Sequence, residues 1–252
     1  MAQIDVKDLR MQYGDELIQE HVSFSVPPGC IFAVMGGSGC GKSTLLRHMV
    51  GLQEPAQGDV CIDGQGYWGE MDADRKQAAR QRFGMLFQKG ALWSTLSLAE
   101  NVHVPLELHW RDRDEGERAQ RVRDVLEWVG LADQADVPVH GLSGGQVKRA
   151  GLARAIVAEP EVIFLDEPSA GLDPVTSLRM DDLILSVRDR TGASVVLVSH
   201  ERDSLFRIAD ASIFLDADSR QPLAQGRPAD MQHDAALPLA VRNFLQRKDE
   251  QA

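Results

Sequence analysis

Long hydrophobic runs are missing from this chain of 252 residues. No window approaches the roughly 18 consecutive apolar residues of a membrane span. The N-terminal MAQIDVKDLRMQYGDE has no apolar stretch of signal-peptide length. A soluble protein is expected, with any membrane association made through a partner. Cysteine is scarce: Cys30, Cys40 and Cys61 are odd in number and show no CxxC spacing. That excludes a disulfide framework and a zinc site, and it points to reduced thiols in the cytosol. Positive charge is also in deficit, with 27 Lys+Arg against 38 Asp+Glu and a net charge of −11. A nucleic-acid binder needs a basic stripe to displace counterions, so no nucleic-acid partner is expected. One compact phosphate ligand in a local site remains allowed. Repeats and low-complexity tracts are absent. The length suits one large domain, or one domain with a smaller lobe.

What is present is alternation. Ile4 and Val6, then Val22, Phe24 and Val26, alternate with polar residues as strands do, and Pro27-Pro28-Gly29 supplies a turn. Cys30 to Met35 is a short apolar run, as expected of a strand buried on both faces. It leads through a glycine-rich loop into the helix KSTLLRHMV, with Gly51 as its C-cap. Gly58 to Gly64 reads as a strand and turn. The middle is helical. Ser97 and Glu100 have capping-box spacing, and Val122, Val125, Leu126 and Val129 mark one buried helix face. Afterwards VIFLDE and SVVLVSH read as strands separated by the helical LRMDDLILSVRDR. Strands alternating with helices imply an α/β fold with a parallel sheet covered on both faces. The helical segment, roughly residues 95 to 155, would be a lobe inserted in it.

GGSGCGKS, residues 36 to 43, matches GxxxxGK[ST] between a predicted strand and a predicted helix. Glycines let backbone N–H groups wrap an anion, and the helix N-terminus adds partial positive charge. Lys42 would reach the β- and γ-phosphates, and Ser43 would hold Mg²⁺. VIFLDE ends in Asp166 and Glu167, and SVVLVSH ends in His200. Ligand groups in open α/β sheets gather at the carboxyl ends of strands. Asp166 then supports Mg²⁺, Glu167 polarises the attacking water, and His200 contacts the γ-phosphate. A lone histidine at a strand end is ordinarily structural, but three strand ends converging on one phosphate favour the contact. LSGGQ, Leu142 to Gln146, reads either as an ordinary helix N-terminus or as a second anion site. Ser143 and Gln146 have capping-box spacing, and Gly144 and Gly145 allow close approach to the N–H groups. Two phosphate-binding helix ends in one chain need two nucleotides, or two chains sharing them.

GGSGCGKST, Gln88, LSGGQ, VIFLDEP, SAGLD and His200 occur in the order seen in ATP-binding cassette (ABC) ATPases, and the resemblance runs from about Ile4 to Gly226. It implies a P-loop NTPase with a mostly parallel core sheet, an N-terminal antiparallel β subdomain and an inserted helical subdomain. On this pattern residues 1–252 form one ABC ATPase domain. Residues 1–94 and 156–236 would be the core with its β subdomain, 95–155 the helical subdomain and 237–252 a tail. The resemblance further implies a head-to-tail homodimer. Each ATP, with Mg²⁺, would lie between one copy's Walker A loop (Gly36, Gly37, Ser38, Gly39, Cys40, Gly41, Lys42, Ser43, Thr44) and the other copy's Ser143, Gly144, Gly145 and Gln146. It makes Glu167 the general base and Gln88 the Mg²⁺ and water contact, delivered by a buried strand MLFQ. It also makes Asp173 a contact across the dimer interface. Tyr13 takes the place of an adenine-stacking aromatic; its other reading is a surface tyrosine at a turn.

MLFQKGALWSTLSLAENVHVPLELH is similar to a pattern in the ATPases serving Mce-type lipid transporters of Gram-negative bacteria, the branch that includes the Mla phospholipid system. DEPSAGLDPVTS and the later IADASIFLDAD…GRPADM…VRNFL are similar to that branch too, while the first segment has two departures: Trp93 where Phe is usual, and STLSLAENV for T-V-x-E-N-V. This resemblance implies phospholipid transport from the cytoplasmic face of the inner membrane. The partners would be an integral membrane permease, an Mce-domain lipid-binding protein and a small regulatory subunit. Alternatives are another cargo, or a soluble ABC ATPase such as an iron–sulfur assembly factor. Leu92 and Trp93 either line the groove that receives the permease or belong, with Leu96 and Leu98, to the helical lobe's core. Val241, Phe244 and Leu245 in the tail pack on their own domain or meet a partner.

Overall fold

The computed structural model describes residues 2–246. Two extended strands open the chain, β1 (Ile4–Tyr13) and β2 (Glu16–Val26), folded back on each other through the Gly14-Asp15 turn. The buried strand β3 (Ile31–Gly36) then feeds α1 (Lys42–Met49) through the glycine loop. Next come β4 (Gln57–Ile62), the two-residue β5 (Gln65–Gly66), α2 (Ala73–Gln81) and β6 (Phe83–Leu86). Three helices follow: α3 (Leu98–His109), α4 (Glu115–Trp128) and α5 (Gly144–Ile156). The chain returns to alternation with β7 (Val162–Asp166), α6 (Pro174–Thr191), β8 (Ser194–Val198), α7 (Arg202–Ile208), β9 (Ala211–Leu215) and β10 (Pro222–Gly226). It closes with α8 (Pro228–Met231) and α9 (Leu239–Gln246).

Two sheets form. A four-stranded antiparallel sheet runs β2-β1-β4-β5, and a six-stranded one runs β10-β9-β3-β8-β7-β6. Every neighbouring pair in the second is parallel except β10 with β9. A mostly parallel sheet beside an antiparallel one, with helices inserted between β6 and β7, is the architecture the sequence resemblance implies. Strand periodicity explains how the large sheet is covered, because alternate side chains leave opposite faces. Ile31, Ala33 and Met35 of β3, Ile163 and Leu165 of β7, and Val195 and Leu197 of β8 enter the core shared with α3–α6. Phe32, Val34, Val162, Phe164, Val196 and Val198 enter the core shared with α1 and the antiparallel sheet. A strand buried on both faces has no polar side, which is why these segments read as unbroken apolar runs.

The helices begin where their caps put them. Ser97 accepts from Glu100 N, and Glu100 Oε2 accepts from Ser97 N at 2.7 Å, completing a reciprocal cap for α3. Asp173 caps α6, Pro174 occupies its first position, and Gly192 (φ 70°) ends it in the left-handed conformation.

Two expectations change. The strand MLFQ does not reach Gln88: β6 is the edge of the sheet, its pairing with β7 ends at Leu86, and Phe87 and Gln88 are exposed. The apolar residues after Gln88 do not act as one group either. Leu98 is fully buried, Leu92 and Leu96 are half-buried, with Leu92 packed on the main core, and Trp93 is 57% exposed. In α9, Val241 and Leu245 are buried, and Phe244 meets Phe214 edge-on at 5.3 Å. Residues 247–252 of the tail lie outside the described residues.

Candidate functional site

Gly36 ends β3 at φ 146°, and a Cβ there would collide with the Leu215 carbonyl oxygen. Gly41, the residue before α1, sits at φ 96°, where a Cβ would lie 2.6 Å from Ile18 Cγ2. Backbone conformation and contact both demand glycine here. No side-chain hydrogen bond caps α1 and no acidic residue occupies its first turn, so no side chain there neutralises the helix's N-terminal partial positive charge at the loop's concavity. Lys42 lies in that concavity, buried, with Nζ donating to the carbonyls of Gly36 at 2.9 Å and Gly37 at 2.7 Å. Cys40 is buried beneath the loop, and burial pushes its thiol pKa up.

Next to the loop, Ser43 Oγ donates to Asp166 Oδ1 at 2.9 Å. Asp166 is buried at the end of β7, and burial raises its pKa, with the Glu167 charge adding to the rise and Ser43 opposing it. A hydroxyl and a carboxylate oxygen at this spacing suit a hard, oxygen-seeking cation such as Mg²⁺. Glu167 follows with a left-handed backbone, φ 52°. Its N–H donates to Val198 O at 2.9 Å, and its carbonyl accepts from Lys148 Nζ at 2.6 Å. Glu167 Oε1 lies 2.8 Å from His200 Nδ1, while Oε2 is buried without a partner. An ionised carboxylate only accepts, so in that form the bond requires a proton on Nδ1; the His200 ring is largely exposed. Lys42, Ser43, Asp166, Glu167 and His200 thus gather at the adjoining ends of β3, β7 and β8.

Tyr13 is 45% exposed at the end of β1. Its hydroxyl donates to Gln53 Oε1 at 3.0 Å and accepts from Arg47 Nη1 at 3.2 Å. A hydrogen bond with Thr44 is the main reason its pKa falls below the usual phenol value. The ring therefore stands beside the start of α1. Gln88 is not brought into the set by a hydrogen bond. Among the described residues its side chain forms none, and its carbonyl accepts from Lys148 Nζ at 2.6 Å.

The second glycine site opens α5. Ser143 N donates to Gln146 Oε1 at 2.7 Å, and Gln146 N donates to Ser143 Oγ at 3.3 Å, so both cap each other. Gly144 is exposed. A Cβ on Gly145 would come 2.9 Å from Thr176 Cγ2, so the starts of α5 and α6 touch. Asp173 accepts from Val175 N and Thr176 N, each at 3.1 Å, and from Thr176 Oγ1. The Thr176 hydroxyl, foremost, holds its carboxyl below the usual range. Among the described residues no hydrogen bond joins Ser143–Gln146 to the loop at residues 36–44.

Away from both glycine sites, a groove of about 370 Å³ opens beside α3, lined by Phe87, Trp93, Asn101, Pro105, Leu108 and His109 among others. The buried Asn101 amide accepts from Trp93 N at 2.7 Å and donates to Trp93 O at 3.0 Å, fixing that backbone while the ring stays exposed. Arg154 donates to Ala91 O at 2.6 Å and Gly90 O at 2.9 Å. Leu92 is not among the lining residues. The sequence reading missed Lys148, Asn101 and Arg154, whose partners are mostly backbone carbonyls that no motif announces.

The sequence profile of the family described as "ABC transporter" matches residues 19–170. The methionine import ATP-binding protein MetN of Brucella abortus (strain 2308) is 36% identical over 263 residues, covering 99% of this chain and 70% of that protein. The probable ribonucleotide transport ATP-binding protein mkl of Mycobacterium leprae is 38% identical over 198 residues, covering 78% of this chain and 56% of that protein. Among solved structures, the dimeric post-hydrolysis state of an ATP-binding cassette bound to ADP and Pi superimposes with a TM-score of 0.80 at 28% identity. That match covers 89% of this chain and 98% of the other.

Proposed function

The chain belongs to the ABC transporter family of ATP-binding proteins, and on that premise we propose that it is the ATPase subunit of a transporter assembled from separate chains. It is an ATPase that uses ATP with Mg²⁺. In our reading the loop from Gly36 to Thr44 wraps the phosphates, and Lys42 exchanges its two carbonyl partners for phosphate oxygens. Ser43 and Asp166 would hold Mg²⁺, which neutralises charge on the β- and γ-phosphates when bound. Glu167 takes a proton from the attacking water, and His200 holds Oε1 through Nδ1 while Nε2 faces the γ-phosphate. Tyr13 stacks on the adenine. Gln88 contacts Mg²⁺ and the attacking water, and its carbonyl shares the Lys148 ammonium with that of Glu167. The observation that carries the reading is the pairing of Ser43 with Asp166 beside the Glu167–His200 pair, with Oε2 unpartnered.

The exposed N-terminus of α5 completes the site of a second copy packed head to tail, with Asp173 at the start of α6 beside it. The similar cassette bound to ADP and Pi is itself dimeric, which supports this arrangement. The helical lobe carries the groove that receives a permease. The subunit then sits peripherally on the cytoplasmic face of the membrane, and no helix among the described residues is long and apolar enough to cross it.

The cargo has two readings. Whole-chain similarity to MetN supports an amino acid, methionine. The groove supports phospholipid, because Phe87, Ala91, Asn101, Pro105 and His109, which carry the lipid-branch pattern, line it. A permease reads that surface, whereas the nucleotide motifs that dominate overall identity are shared whatever the cargo. An Mce-domain protein and a small regulatory subunit belong to the second reading only. Reconstituting the ATPase with its permease in vesicles separates the two: turnover raised by methionine supports the first, and turnover raised by phospholipid the second. For the nucleotide site, calorimetry should show Lys42→Ala losing most ATP affinity; unchanged binding refutes the assignment.

A further inference from the structure

Lys148 lies on the second turn of α5 and is only 7% exposed. Burying an ammonium is costly unless it is hydrogen-bonded, and burial pushes its pKa down while the Glu167, Asp166 and Glu201 carboxylates oppose that. Its Nζ spans two carbonyls, Gln88 O and Glu167 O, each at 2.6 Å. These belong to segments far apart in sequence, and both are residues whose side chains the proposed chemistry needs. Glu167 holds a left-handed backbone, which is strained for a non-glycine residue and persists only where surroundings over-determine it. The Val198 carbonyl pins its N–H side, and Lys148 pins its C=O side. On the Gln88 side the ladder has ended at Leu86, so Lys148 supplies the fixed point. Arg154 holds the next residues, Gly90 and Ala91, from the same helix but does not touch Glu167.

We propose that Lys148 is a positioning residue for hydrolysis: one ammonium on the LSGGQ helix fixes the carbonyls of Gln88 and Glu167, and so sets where both side chains leave the backbone. The proposal rests on Glu167 acting as the base. A methionine at 148 keeps the length and apolar stem and removes the donors. In the full-length chain with ATP and Mg²⁺, Lys148→Met should lower kcat about tenfold or more with KM changed by about twofold or less. Amide hydrogen exchange should rise together at residues 88–91 and 167–170. If the melting profile shows that Lys148→Met does not fold, Lys148→Gln, which keeps a donor for one carbonyl, is read by the same criteria. Unchanged kcat and unchanged exchange at both segments, even with a lower melting temperature, overturn the proposal. Glu167→Gln run in parallel separates the two levels. If it turns over normally, the base assignment has failed. If it is inactive while Lys148→Met is normal, only the Lys148 proposal has failed.

Discussion

Replacing Glu167 by glutamine changes one oxygen into an amide nitrogen and almost nothing else. The backbone at this position is held from both sides, by Val198 O and by Lys148 Nζ, so its left-handed conformation survives. Glutamine has the same length, and its carbonyl oxygen still accepts from His200 Nδ1, which now sits 2.8 Å from Oε1. ATP affinity, which the proposal assigns to the loop at 36–44 and to Ser43 with Asp166, should therefore hold. What disappears is the capacity to take a proton from water. A positioned general base contributes about 10²–10⁴-fold, equivalent to ~2.7–5.5 kcal/mol of barrier at ~1.36 kcal/mol per tenfold. Phosphate release at saturating ATP and Mg²⁺ should fall by that factor, while calorimetric ATP affinity stays within about twofold. The amide also removes a buried carboxylate oxygen that has no partner, so the melting temperature should stay level or rise. Turnover within about threefold of the parent would refute the base assignment. Affinity and turnover falling together would make Glu167 a binding group instead.

The groove and the core separate by paired substitutions. Leu98→Ala, at a fully buried position, should cost about 2–5 kcal/mol in a denaturant melt. Trp93→Ala, at a side chain more than half exposed, should cost clearly less and yet weaken recovery with the permease; the reverse order would return Trp93 to the core. Asp181 gives a pH signature: it is buried between α6 and α7, accepts from Ser204 Oγ at 2.6 Å, and burial raises its pKa above 3.8. Its folded form holds the proton more tightly than the unfolded chain. The stability this gives is complete below the unfolded value and is lost as pH rises through the folded one. Asp181→Asn, which keeps an acceptor for Ser204, should therefore gain on the parent as pH rises through that window. A melting-temperature difference that is flat from acid to neutral pH would refute this.

The nucleotide loop was legible because its chemistry is local. Gly36 and Gly41 are required by their own backbone angles and nearest contacts, and Lys42 and Ser43 follow them directly. The large sheet was legible for a related reason, since strands buried on both faces cannot hide among polar residues. The reach of the strand MLFQ was misjudged because strand length is not local. MLFQ has the apolar character of β7 and β8, but as the edge strand β6 has only one partner. Nothing on its outer side extends the ladder past Leu86.

The cluster at Leu92, Trp93, Leu96 and Leu98 shows a different limit. Composition cannot say which apolar residues are turned outward, because that depends on Asn101, which is eight residues from Trp93 and binds its backbone on both sides. Lys148 was invisible for the same reason at longer range, since its two carbonyl partners become neighbours only after α5 packs on β6 and β6 pairs with β7. That packing has a consequence for how the parts move. A Cβ on Gly151 would collide with the Leu86 side chain, and one on Gly90 would lie 2.9 Å from Val147 Cγ1. Val147, Lys148, Gly151 and Arg154 therefore hold residues 86 to 91 along one face of the helix that begins at Ser143–Gln146. A shift of α5 at its exposed glycine end cannot leave the groove wall behind without breaking the Lys148 and Arg154 bonds. These bonds and contacts tie residues 86 to 91 to the helix that begins at Ser143–Gln146, and Lys148 is where that helix also touches Glu167.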